Sequence, residues 1–115
     1  MYTALITAFE ALKATPGLSE ESIWPLAAPG DVEGMFVTYR VDEGQAVTKN
    51  GINDDVLVIG VFDTQYLSVA QLADSIKEQI LNTTGVRFYY QGCTGEYSND
   101  LERAFVSMNF TFKHK

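Results

Sequence analysis

Residues 56 to 81, VLVIGVFDTQYLSVAQLADSIKEQIL, decide the fold of this chain. Val56 to Phe62 is an uncharged run rich in β-branched side chains. Such a run fits a strand buried on both faces better than one alternating between core and water. Val56, Val58, Gly60 and Phe62 would face one way, and Leu57, Ile59 and Val61 the other. One face can pack on helices; the second needs a further layer or a partner subunit. The rest of the stretch is an amphipathic helix. Ser68 with Gln71 three residues on has the pattern of a capping box, which predicts the helix start. Val69, Leu72, Ala73, Ile76 and Ile80 form one apolar stripe, with Gln71, Asp74, Ser75, Glu78 and Gln79 away from it. Asn82 or Gly85 can take the left-handed conformation that ends the helix. Burying one large aliphatic side chain contributes about 1.5–3 kcal/mol, so this stripe suffices to dock the helix on a sheet.

On the N-terminal side, Tyr2 to Lys13 reads as a helix with Tyr2, Leu5, Ile6, Phe9 and Leu12 on one face. Thr15-Pro16-Gly17 stops it, because proline cannot continue the hydrogen-bond ladder. Ile23-Trp24-Pro25-Leu26 is a short extended piece that Pro25 confines to an edge, and Ala27 to Asp31 is loop. Met35 to Val41 alternates as a strand. Asn50-Gly51 is a strong hairpin signal, linking that strand to Val56–Phe62 as antiparallel neighbours, with arms near Ala46-Val47-Thr48 and Ile52 projecting beyond the sheet. On the C-terminal side, Val86 to Gln91 reads as a strand and Gly92 to Asp100 as a turn-rich loop. Glu102 to Lys113 is a strand with Ala104, Val106, Met108, Phe110 and Phe112 inward. Lys113-His114-Lys115 is a short basic tail. The expected fold is a single α+β domain over residues 1–115. It has an antiparallel sheet of four to five strands, two helices on one face, and the order α-β-β-β-α-β-β.

A chain of 115 residues can bury one real core. The net charge of −7 and pI near 4.5 argue against general binding to a nucleic-acid backbone, which requires a basic face. If the molecule lines a channel, that charge would repel phosphate. The lone Cys93 excludes an internal disulfide and points to a reducing compartment. No apolar run approaches the roughly 20 residues of a membrane helix, and the N-terminus has no signal-peptide pattern.

Candidate chemistry is sparse. Cys93 and His114 are the available thiol and imidazole, but a dyad needs hydrogen-bond reach and a group to orient the base. His114 lies in the tail, so a loop cysteine and a solvated histidine are the expectation. Glu20-Glu21, Asp42-Glu43 and Asp54-Asp55 are adjacent carboxylates. Neighbours on a strand point to opposite faces, so these read as solvated turns; Asp31 and Glu33 could share one side of a loop. One histidine and one cysteine leave no usual zinc set. Gly92-Cys93-Thr94-Gly95 resembles a phosphate loop by count alone, since Glu96-Tyr97 stands where a lysine and a hydroxyl residue are required. It reads as a turn between strands. Arg87, Tyr89, Tyr97, Arg103 and Phe105 could form a polar-aromatic patch on one sheet face. Arginine and tyrosine are enriched at interface hot spots; the alternative is an ordinary solvated face.

The layout carries a family resemblance. A helix ending EALKATPGL leads to IWPLAAPG, then to the strand MFVTYRV, the buried strand VLVIGVFD, the helix SVAQLADSIKEQIL and two final strands. This resembles the tail-completion, or tail-terminator, proteins that join head to tail in long-tailed bacteriophages and prophages. Ile23, Trp24, Pro25, Leu26, Ala28, Pro29, Val37 and Tyr39 match that pattern, as do Ala73 and Asp74. Gly34-Met35 stands where the family often has proline. The resemblance implies a structural, non-enzymatic assembly protein with no catalytic residue, cofactor or metal. It implies a ring of copies, commonly a hexamer, that caps the tail tube and meets the head connector. The partners implied are the chain itself, the tail-tube protein and the connector protein, without specific nucleic-acid binding or a membrane. The place implied is the virion tail, reached from the host cytoplasm during assembly. Trp24, Phe36, Arg40, Val47, Ile52, Arg87, Tyr89, Arg103 and Phe105 are the residues expected at subunit contacts. Two rival readings are a small bacterial α+β binding module, with its ligand between helices and sheet, and a hydrolase using Asp54 or Asp55.

Overall fold

The structure is a computed structural model and describes residues 2–28, 34–46, 53–98 and 103–113. Helix α1 spans Tyr2–Lys13, and a 3-10 turn at Glu20–Ser22 leads into strand β1 at Ile23–Pro25. Strands β2 (Phe36–Ala46) and β3 (Asn53–Asp63) follow, then helix α2 (Tyr66–Leu81), β4 (Tyr89–Ser98) and β5 (Arg103–Lys113). The α-β-β-β-α-β-β order is the one the sequence implies. In space the strands run β1-β2-β3-β5-β4.

β2 with β3, β3 with β5 and β5 with β4 are antiparallel, but β1 lies parallel to β2. The sheet is therefore mixed, which corrects the expectation of an antiparallel one. Pro25 does sit on an edge strand. The Leu26 N–H donates to the Tyr39 carbonyl at 2.8 Å. By strand alternation the Pro25 nitrogen, which has no proton to give, points away from β2. The antiparallel link between the Met35 and Val56 strands holds, with Val37 opposite Val61 and Val41 opposite Leu57. Asn50-Gly51, Val47 and Ile52 lie outside the described residues.

The core lies between the helices and one sheet face. Leu57, Ile59 and Val61 of β3 are fully buried there, with Val37, Val106, Met108 and Phe110. Val69, Ala73, Ile76 and Ile80 of α2 cover them, as the helical stripe requires. Helix α1 is turned relative to expectation. It buries Ala4, Ala8, Ala11 and Leu12, while Tyr2 and Ile6 point to solvent. The small alanine side chains allow the helix axis to come close to its neighbours, which the larger Tyr2 and Ile6 would prevent. The buried Thr15 hydroxyl donates back to the Ala11 carbonyl at 3.0 Å, closing the helix end inside the core.

Three local expectations are corrected. Ser68 does not cap α2; the helix begins at Tyr66 with Gln65 as N-cap. Strand β3 runs on to Asp63, whose carboxylate accepts the Thr64 N–H at 2.6 Å, so only Thr64 and Gln65 are left to make the turn. Gly92–Ser98 is strand, not loop, and the Gly92-Cys93-Thr94-Gly95 segment is part of β4. A register shift between Tyr90 and Gly92, with Gly92 at φ +131°, lets β4 continue past its glycine. Asp55 is not a solvated turn residue; it lies buried on the core side of β3, opposite Phe112.

Candidate subunit interface

The face of the sheet away from the helices is built from alternate residues of the same strands. Cross-strand register assigns it Trp24, Phe36, Thr38, Arg40, Val56, Val58, Gly60, Phe62, Phe105, Ser107, Asn109 and Thr111. Its organising feature is a row of three phenylalanines at one end. Phe36, Phe62 and Phe105 are register partners on β2, β3 and β5. Their rings stack with centroids 4.6 Å apart for Phe36–Phe62 and 5.3 Å for Phe62–Phe105, within the range where aromatic pairs attract. The Arg103 guanidinium covers the Phe36 ring at 5.1 Å and donates from Nη1 to the Gly34 carbonyl. A cation over an aromatic face adds attraction.

Gly60 makes this row possible. A β-carbon built there would lie 2.9 Å from Cε1 of Phe62 and 2.8 Å from the Thr38 hydroxyl oxygen. The missing side chain thus lets the Phe62 ring lie down along its own strand, between its two neighbours. Beyond the row the face turns polar, with Thr38, Gly60 and Ser107 in line across three strands. At the far end Arg40 pairs with Asp42 at 3.3 Å, and the Gln91 amide donates to the Thr111 hydroxyl at 3.0 Å. Packing within the face already shields Phe36 and Val58, at 7% and 8% exposed, whereas Phe62 and Phe105 are half-buried.

The residues expected at subunit contacts divide accordingly. Phe36, Arg103 and Phe105 come together in the aromatic row. Trp24 sits at the β1 edge of the same face, and its indole Nε1 is buried without a hydrogen-bond partner among the described residues. Arg40 and Tyr89 lie at the other end, Arg87 stands 6.0 Å over the Tyr89 ring, and Val47 and Ile52 are outside the described residues. Tyr89, opposite Thr111, is about 20 Å along the sheet from Phe105 at strand rise. Tyr97 pairs with Ala104 on the helix side. The polar-aromatic patch read from the sequence is therefore split between two ends and two faces. Phe62 and Gly60, which hold the row together, were not singled out; a glycine inside a β-branched run is the signal that marks a close approach.

The remaining candidates for chemistry stay apart. Cys93 is exposed on β4, and His114 lies outside the described residues, as do Asp31, Glu33 and the Asp54 side chain. A side-chain hydrogen bond to Cys93 and then burial push the Tyr90 hydroxyl up to about 12, and the Lys77 ammonium lies 4.0 Å over the Tyr90 ring. Burial also raises Tyr39, which stacks on Phe9 of α1. Among the described residues, no group of three His, Cys, Asp or Glu side chains could hold a metal ion, and no helix is long and apolar enough to cross a membrane. Two grooves open to solvent flank α2. One, of about 460 Å³, is lined by Pro16, Met35, Asp63, Gln71 and Leu72; the other, of about 440 Å³, by Ile6, Glu10, Ala11, Gln79 and Thr83. Each carries a single carboxylate among the described residues, and neither gathers an acid–base pair.

No protein-family profile matches the chain, and no curated protein matches it in sequence. Solved structures do match. One is a chain in the structure described as the virion of a native gene transfer agent (GTA) particle, with a TM-score of 0.66. The fold is shared with a virion protein. The likeness spans 94% of this chain and 91% of the virion chain at 13% identity, so it runs from end to end and is a likeness of fold.

Proposed function

We propose that the protein is a structural, non-enzymatic component of a phage-like virion, of the tail-terminator kind. In this reading copies of the chain close into a ring, a hexamer, that caps the tail tube and joins it to the head connector. It assembles in the host cytoplasm and resides in the virion tail. The observation that carries the reading is the end-to-end likeness in fold to a gene transfer agent virion chain. Two further features support it. The helix-free sheet face presents the aromatic row, with Phe62 and Phe105 half-buried and available to a neighbour. The net charge of −7 suits the wall of a channel through which DNA passes without adhering.

Sedimentation velocity and native mass spectrometry on the purified chain, alone and with isolated tail tubes, test the proposal. The expected result is a closed ring of six copies, alone or on the tube end, seen as a terminal cap by electron microscopy. A chain that stays monomeric at every concentration and leaves tube ends bare would overturn it. A monomer that instead binds a small ligand in one of the two grooves would favour the binding-module reading.

A further inference from the structure

Leu26 occupies a backbone position that works against a leucine. Its φ is +67°, in the left-handed region where a side chain crowds the following carbonyl and a bulky residue is an outlier. The Ala27 N–H donates to the Pro25 carbonyl at 2.8 Å, so the chain reverses around Leu26 alone. With a positive φ at its centre, a three-residue turn of this kind is the rare and strained form. The Leu26 N–H to Tyr39 carbonyl bond, also 2.8 Å, pins the turn to β2. Glycine would hold the same turn without the steric cost. The backbone is held by these two hydrogen bonds, but the Leu26 side chain itself gains little from the described residues, because it is 71% exposed. A large apolar side chain held in water by strained backbone is accounted for when the side chain is buried in an assembly.

We infer that Leu26 is a contact knob by which one copy of this chain grips the next, a role that rests on the ring reading given above. The ring reading supplies a second copy as the occupant, and the absence of charge in this segment permits the close approach. Each copy carries −7, so copies can approach closely only through neutral or complementary patches. Ile23 to Ala28 contains no charged residue, and Pro25, Leu26 and Ala27 are all exposed. The segment is also continuous with the helix-free face through Trp24, at the free edge of the sheet. A knob at one edge that enters a different surface of its neighbour makes a head-to-tail contact, the kind that closes rings.

The test is Leu26→Gly in the full chain, followed by sedimentation velocity over a concentration series and by thermal unfolding under conditions where the protomer is monomeric. The expected result is opposite in sign for the two measurements. The ring dissociation constant rises by roughly tenfold or more, as for a hot-spot residue, while the unfolding midpoint stays level or rises because the turn is relieved. Leu26→Met, which keeps the apolar side chain, assembles like the wild type. Leu26→Gly assembling with unchanged affinity would overturn the inference, as would a midpoint lowered by several degrees, which would make Leu26 a structural residue. A wild-type chain that forms no ring defeats the functional reading itself; a wild type that forms rings alongside a Leu26→Gly that forms them equally well defeats only the knob.

Discussion

The two faces of the sheet use alternate residues of the same strands yet are stabilised differently. On the covered face Leu57, Ile59, Val61 and Phe110 are fully buried beneath two helices, and their contribution scales with area removed from water. On the helix-free face Phe36, Phe62 and Phe105 stack on one another, with Gly60 clearing space and Arg103 closing one end. The first arrangement makes the protomer fold. The second shapes a surface that is partly satisfied alone and can gain further by contact. Substitutions on the two faces should therefore separate stability from assembly.

The largest effect belongs to the covered face. Phe110→Ala should destabilise the protomer by about 3–5 kcal/mol, read from urea unfolding, because a full aromatic side chain is lost from a fully buried site. Gly60→Ala comes next. The new methyl must displace the Phe62 ring or the Thr38 hydroxyl, so a loss of about 1–3 kcal/mol is expected, together with a change in near-ultraviolet circular dichroism as the stack is disturbed. Phe105→Ser should cost the protomer about 2 kcal/mol, one aromatic pair plus the burial of a half-covered ring, yet weaken ring formation in sedimentation. A loss as large as that of Phe110→Ala would erase the distinction between the faces. Arg40→Ala, which breaks the exposed pair with Asp42, should change stability by about 0–1 kcal/mol and less in high salt.

A separate effect is alkaline. The Tyr90 hydroxyl ionises near 12 in the folded chain and near 10 when unfolded. The folded state thus holds the proton more tightly, and the stabilisation is complete below about pH 10 and lost as pH rises towards 12. Wild type should lose stability across that window more steeply than Tyr90→Phe, in denaturant titrations at successive pH values. Equal slopes would remove the Cys93–Tyr90 hydrogen bond from the account.

Much of the fold is legible in residues 56–81, because a β-branched run followed by a helical stripe constrains both elements and the face they share. The β5 alternation from Ala104 to Phe112 was equally readable, since every second residue is apolar and buried. What escaped has identifiable causes. The parallel placement of β1 depends on a pairing partner, and three residues carry no orientation signal. The length of β4 was hidden by Gly92 and Gly95, which look like turn residues but serve a bulge and a close approach by Tyr66. On α1, Leu12 and Phe9 of the expected face do pack inward, but Ala4, Ala8 and Ala11 take the places of Tyr2 and Ile6. Large side chains outweigh alanines in any hydrophobic count, while close packing favours the alanines. At the candidate interface, residue types were readable but not their separation along the sheet, which register alone fixes. The left-handed Leu26 has no counterpart in any periodicity.

The position of β5 between β3 and β4 has a consequence for how the molecule comes into being. The last of these strands to leave the ribosome is the one that joins β4 to everything made before it. Until it arrives, β4 has no hydrogen-bonded neighbour and β3 presents a bare edge, a state prone to off-pathway association. Shortening the chain within β5 would therefore divide the sheet rather than trim it, and folding should wait on contacts distant in sequence, which are slow to form.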